Sequence, residues 1–248
     1  MSHPDPIQAR PGAVANGYPI GMLCAQWNIP FVPGDLNNAS TFPFPVRYLE
    51  IEGLVGADIL RGHGDRYLDL VIAGARRLEA EGVRAITSNC GFMAVFQQPV
   101  AEAVGVPVLL SSLIQLPTLV YMVGASRRVG VIAANSEAIT PTLLAEVGFH
   151  QPDRIAVQGL ETYEHFREVI FEESGEMRPA EFRAEILDAA LELHRSAPDI
   201  GAILLECSDL PPYAAAIKCA TGLPVFDWAA FIEHIHRAAF PRVYAGIY

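Results

Sequence analysis

Positive charge is scarce in this chain: Lys and Arg together number 17 against 28 Asp and Glu, for a net charge of -11. No basic stripe appears, so the electrostatic footprint of a nucleic-acid partner is missing. Long apolar runs are absent too, and no membrane span is expected. There are four cysteines, Cys24, Cys90, Cys207 and Cys219, and no CxxC pair, which argues against a structural zinc site. His234 and His236 point to different faces of a predicted helix, so no metal is expected there. His63, in Arg61-Gly62-His63-Gly64, reads as a surface residue. Residues 1–17 hold Pro and Gly but no apolar core, and are read as a loose tail rather than a secretory leader. The expectation is a cytoplasmic protein with reduced thiols. What is present is a globular composition: 248 residues, 51% hydrophobic, enough to build a core without disulfide staples.

Short apolar runs alternate with helical patterns, which implies parallel α/β sheets. Strands are predicted at 18–23, 46–54, 83–88 and 106–110, then at 128–134, 154–157, 200–206 and 223–226. Residues 65–81 read as an amphipathic helix with Leu68, Val71, Ile72, Ala75 and Leu78 on one face and Gly82 to end it. Further helices are predicted at 136–147, with Pro141 early in it, at 179–195, after Pro211-Pro212, and at 228–239.

An internal repeat organises these elements. The chain reads V-R-A-I-T-S-N-C-G-F around Cys90 and I-G-A-I-L-L-E-C-S-D-L around Cys207. Fifteen residues after each cysteine comes a matching tetrapeptide, Gly105-Val106-Pro107-Val108 and Gly222-Leu223-Pro224-Val225. Upstream, Ile20-Gly21-Met22 resembles Val129-Gly130-Val131. Each cysteine therefore closes an apolar strand at its carboxyl end, where ligands bind in open α/β sheets.

Two thiols facing one carbon from opposite sides suit stereoinversion: one removes a proton while the other delivers one to the far face. A thiol near its reference pKa of about 8.5 is partly thiolate at neutral pH, and a following helix N-terminus would lower that value. Cys24 and Cys219 lack such pairing and are read as packing residues.

At these residues the sequence resembles the aspartate/glutamate racemase superfamily, with its glutamate, aspartate and hydantoin racemases, maleate isomerases and arylmalonate decarboxylases. Leu204-Leu205-Glu206-Cys207-Ser208-Asp209-Leu210-Pro211 is similar to the second cysteine motif, and Ser88-Asn89-Cys90-Gly91-Phe92 to the first. The resemblance implies two pseudo-symmetric flavodoxin-like subdomains with a cleft between them, no cofactor and often a homodimer. It assigns residues 18–117 and 226–248 to the first subdomain and 118–225 to the second, with the last strand and helix returning to the first. Cys90 and Cys207 are the expected catalytic pair. Gly91 and Phe92 replace the Asn and Thr that hold a substrate carboxylate in amino-acid racemases, and Glu206 replaces a common Gly. These departures count against free aspartate or glutamate as substrate, and a carboxylate at Glu206 would raise the Cys207 pKa if it faced the thiol.

Candidate substrate-binding residues are Asn89, Gly91, Phe92 and Ser208 beside the cysteines, Asn135 and Ser136 at the pseudo-equivalent rim, and Asp35 in the long loop of residues 30–45. Asn135, Ser136 and Ser208 serve equally as helix caps. The expected function is cofactor-independent racemisation or epimerisation of a small carboxylate or cyclic amide. Cis-trans isomerisation through a cysteine adduct and non-catalytic small-molecule binding are the alternatives. A cysteine hydrolase is disfavoured, because no His motif partners either thiol.

Overall fold

A computed structural model describes residues 6, 9, 15–62, 64–244, 246 and 247. Most of the expected tail, and His63, lie outside the described residues. The first half runs β1 (Ile20–Gln26), β2 (Val46–Val55), α1 (Gly56–Leu60), α2 (Leu68–Glu81), β3 (Ala85–Ser88), α3 (Gln97–Ala103), β4 (Val108–Leu109) and α4 (Leu116–Val123). The second runs β5 (Arg128–Ala133), α5 (Pro141–Glu146), β6 (Ile155–Gly159), α6 (Glu164–Ile170), α7 (Pro179–Ser196), β7 (Ile200–Leu205), α8 (Ala214–Thr221), β8 (Val225–Phe226) and α9 (Trp228–Ala239).

The strands form two four-stranded parallel sheets, ordered β2-β1-β3-β4 and β6-β5-β7-β8. The topologies coincide, as the cysteine repeat requires. Central strand β7 reads as an unbroken apolar run, as a strand covered on both faces does; every residue of β3 is buried too, its Thr87 and Ser88 hydroxyls donating to the Leu109 and Leu110 carbonyls. The repeated glycines have a packing cause. A Cβ on Gly21 would meet Leu78 of α2 at 2.9 Å, and one on Gly130 would meet Leu193 of α7 at 2.9 Å. Each half thus presses one helix onto its first strand through a leucine. Full burial of such a leucine stabilises the fold by about 1.5–3 kcal/mol. Helix α2 buries Val71, Ala75 and Leu78 and stops at Gly82, whose φ of 91° is easy only for glycine.

The halves exchange their closing helices. Helix α4 packs on β5 and β7 of the second sheet. Helix α9 returns to the first, where Trp228 and Ile232 pack with Ile20, Met22, Ala85 and Leu109. The last strand does not make that return: β8 pairs with β7, so only the helix crosses back. The helix predicted at 136–147 is also broken. Residues 136–138 form a single 3-10 turn, and α5 begins afresh at Pro141 with Thr140 as its cap. Proline lacks the N–H and pushes the preceding residue out of helical conformation, which separates the two pieces. Among the described residues, no helix is long and apolar enough to cross a membrane.

Candidate active site

Strands β3 and β7 end side by side at the interface of the halves. Beyond them the chain opens outward at Asn89-Cys90 and Glu206-Cys207, and all four residues line one chamber. Asp209, Trp27 and Phe92 also line it, and among the described residues no Lys, Arg or His does. Its volume of about 20 Å³ is room for a single water. A ligand larger than a water does not fit the chamber as it stands.

Polar links hold the halves together at this edge. Ser208 Oγ lies 2.9 Å from the Asn89 carbonyl oxygen, and Ser112 Oγ donates to the Leu205 carbonyl at 2.8 Å. Asn135 Nδ2 donates to the Leu60 carbonyl at 3.1 Å. Near the Trp27 wall, the Asn28 N–H donates to Glu173 Oε2 at 2.8 Å. Glu173 has a φ of 50°, in the left-handed region uncommon for non-glycine residues.

Carboxyl groups dominate the electrostatics. The Cys207 thiol donates to Asp209 Oδ2 at 3.1 Å. Burial pushes this thiol well above its ordinary value, and the charges of Asp209 and Glu206 add to the effect. Cys90 is pushed up in the same way, first by burial and then by Glu206, against the pull of the Phe92 N–H. Both groups are therefore thiols in the closed chamber. The expectation of a partly ionised cysteine is corrected: the amides of the following turns are present, but desolvation and acidic neighbours outweigh them.

Glu206 faces the chamber rather than lying across the sheet. Burial lifts its carboxyl to about 8; the Ala134 N–H, donating to Oε2 at 3.2 Å, works the other way, and the Asp209 charge adds to the rise. Its Oε1 is buried without a hydrogen-bond partner. This carboxyl occupies the notch left by Gly91, since a Cβ there would collide with Oε1 and lie 2.7 Å from the Glu206 carbonyl oxygen. Asp35 is pushed to about 10 by burial, then by the charge of Asp209 and a hydrogen bond to it. A protonated Asp35 supplies a donor for Asp209, whose Oδ1 has no other partner.

Of the sequence candidates, Cys90, Cys207, Asn89, Gly91, Phe92 and Ser208 come together around the chamber. The Asn89 side chain is spent on structure: its Oδ1 accepts from the Ala25 N–H at 2.9 Å and its Nδ2 donates to the Ala25 carbonyl at 3.0 Å. Asp35, Asn135 and Ser136 do not line the chamber. Asp35 lies behind Asp209, accepting from the Asn37 N–H at 2.7 Å. Asn135 caps the 136–138 turn and lines a neighbouring cavity of about 600 Å³, which it shares with Phe92 and Arg61. Ser136 is engaged by Glu161. Cys24 lies within β1 beside another cavity, of about 710 Å³, and burial lifts its thiol to about 12. Cys219, expected to pack, is exposed on α8. Asp209 and Trp27 were missed as site residues; the signal for Asp209 was its place two residues after Cys207. No three or more His, Cys, Asp or Glu side chains among the described residues are grouped to hold a metal ion.

Two parallel sheets of identical topology meeting at paired cysteines give a fold that solved racemase and decarboxylase structures share. Allantoin racemase from Pseudomonas fluorescens superposes with a TM-score of 0.60 and 18% identity, over 92% of this chain and 99% of that one. Arylmalonate decarboxylase gives a TM-score of 0.57 at 19% identity, over 90% and 93%. The resemblance read around the cysteines holds for the fold. No protein-family model matches the chain. By sequence, it is 32% identical over 215 residues to the dimethylsulfoniopropionate lyase of Durusdinium sp. clade D, covering 84% of this chain and 70% of that protein. It is 30% identical over 218 residues to dimethylsulfoniopropionate lyase 7 of Emiliania huxleyi, covering 85% of this chain and 64% of that one. The chain spans 58% of dimethylsulfoniopropionate lyase 3 of the same organism. The chain belongs to the dimethylsulfoniopropionate lyase family, and it is an enzyme.

Proposed function

We propose that this enzyme eliminates dimethyl sulfide from dimethylsulfoniopropionate to leave acrylate. The observation that carries the reading is the chamber itself: two thiols and two carboxyl groups, an indole and a phenyl wall, and no basic side chain. Such a lining suits a substrate bearing an onium group, which carboxylates and aromatic faces both attract. It disfavours dicarboxylates such as aspartate and glutamate.

The chemistry needs a base at the carbon next to the substrate carboxylate. The Cys207 proton passes to Asp209 along their hydrogen bond, leaving a thiolate. That thiolate takes the α-proton. The C–H electron pair forms the double bond, the bond from the β-carbon to sulfur breaks, and dimethyl sulfide leaves with its electrons. Cys207 ends as a thiol, and Asp209 releases its proton to water, so the reaction yields acrylate, dimethyl sulfide and one proton. In this reading the substrate carboxylate takes the Phe92 N–H, which in the empty site is directed at Cys90. Positive charge on the β-sulfur acidifies the α-proton and supplies a neutral leaving group.

Racemisation shares the first step, proton removal beside a carboxylate. The equivalent placement of Cys90 at the end of β3 supports it as a second reading, because a second thiol returns a proton from the other face. Incubation with dimethylsulfoniopropionate, with headspace gas chromatography for dimethyl sulfide and proton NMR for acrylate, tests the proposal. Equimolar products support the lyase. Exchange of an α-proton for deuterium in chiral carboxylates, with no acrylate formed, supports the racemase instead.

A further inference from the structure

We infer that Glu206 is the specificity-determining residue of the chamber, the counter-ion that selects a substrate carrying a cationic onium group. The inference rests on the lyase reading and names the part of the site that recognises the substrate's positive end.

Two carboxylate oxygens at the site are buried without a protein partner, Asp209 Oδ1 and Glu206 Oε1. The Asp209 carboxyl is accounted for by its hydrogen bond with Asp35. Glu206 Oε1 is not. Glu206 Oε2 is held by the Ala134 N–H at 3.2 Å, while Oε1 lies against Gly91, which also lines the chamber, with nothing to bond. An unpartnered polar atom at such depth is a standing cost in the empty enzyme, removed when a ligand supplies the missing interaction. Gly91 leaves the space that lets the carboxyl lie there at all. The remaining lining offers no cation, so positive charge must come from the ligand. Glu206 lines the chamber together with Cys90 and Cys207; its carboxyl is neutral in the empty site near pH 7, and its ionised form acts on both thiols. A cation beside Glu206 favours the ionised carboxylate and offsets that charge's share, smaller than that of burial, in keeping those thiols protonated.

The test compares two ligands of the same shape. One is 3-(trimethylammonio)propanoate, a permanent cation with a poor leaving group. The other is 4,4-dimethylpentanoate, in which a neutral quaternary carbon takes the place of the ammonium nitrogen. Both are titrated by calorimetry into the full-length enzyme, its Glu206→Gln variant and its Glu206→Asp variant. The wild type is expected to prefer the onium ligand. Glu206→Gln is expected to weaken that ligand about thirtyfold or more while leaving 4,4-dimethylpentanoate within about threefold. Glu206→Asp, which keeps the charge, is expected to retain most of the preference. A wild type without preference, or a Gln variant that keeps it or loses both ligands equally, overturns the inference. The wild-type comparison stands even where a variant fails to fold. Binding is read without turnover, so a negative dimethyl sulfide assay rejects the lyase reading without deciding this one.

Discussion

Adding one methyl group at Gly91 should disable the enzyme while leaving its cysteines in place. The Cβ of Gly91→Ala would lie 2.7 Å from the Glu206 carbonyl oxygen and closer still to Glu206 Oε1. The carboxyl can swing only by breaking its bond to the Ala134 N–H, and the chamber of about 20 Å³ offers little space to receive it. The carbonyl oxygen is main chain at the end of β7 and cannot yield without moving Cys207. Overpacking of this kind costs about 1–3 kcal/mol. For a chain of this size that lowers the melting temperature by about 2–12 °C. The backbone angles of Gly91 are open to alanine, since its φ is outside the left-handed region, so the effect is purely steric. Differential scanning calorimetry gives the stability and acrylate release gives the activity. Adding Glu206→Ala to Gly91→Ala should recover part of the stability, because the side-chain clash goes while the carbonyl clash stays. A Gly91→Ala protein with unchanged melting temperature and full turnover would refute the placement of Glu206 against Gly91.

Titration of the buried acids should show in the pH dependence of stability. Glu206 rises from 4.5 to about 8 and Asp35 from 3.8 to about 10 on folding. The folded state therefore keeps protons that the unfolded state has released, so stability falls as pH climbs from about 4 toward 10. Glu206→Gln should flatten the part of that fall between about 4.5 and 8, as calorimetry across pH will show. Cys207→Ser should cut kcat by about 10²-fold or more, with circular dichroism unchanged. Under native conditions one of the four thiols, Cys219, should react quickly with a disulfide reagent, because Cys90 and Cys207 are buried and protonated. Trp228→Ala should cost about 3–5 kcal/mol in chemical denaturation, since this fully buried ring anchors α9 to the first sheet.

The repeat was legible because each half uses the same device, a glycine on its first strand beneath a helix leucine and a cysteine at the end of its third. Gly21 against Leu78 and Gly130 against Leu193 turn a likeness of letters into a packing rule. The partner of β8 was not legible, since a two-residue strand carries no pattern that tells one sheet from another. At the site, the strand ends marked Cys90 and Cys207. Local sequence held no information on which polar neighbours would be spent on structure. Asn89 binds main chain and Ser136 meets Glu161, contacts made across 64 and 25 residues. The ionisation of the thiols also escaped the sequence, because a pKa depends on burial and on charges arriving from other strands. Glu206 stood out as a departure, yet its direction was fixed only by the space that Gly91 leaves.

The most direct test follows substrate doubly deuterated at the α-carbon through the wild type and the Cys207→Ser variant, with dimethyl sulfide and acrylate quantified together. Removal of the α-proton by the Cys207 sulfur predicts equal yields of both products, slower turnover of the deuterated substrate, and near-complete loss of both products in the variant. Normal turnover with serine at that position, or dimethyl sulfide released without acrylate, would contradict it.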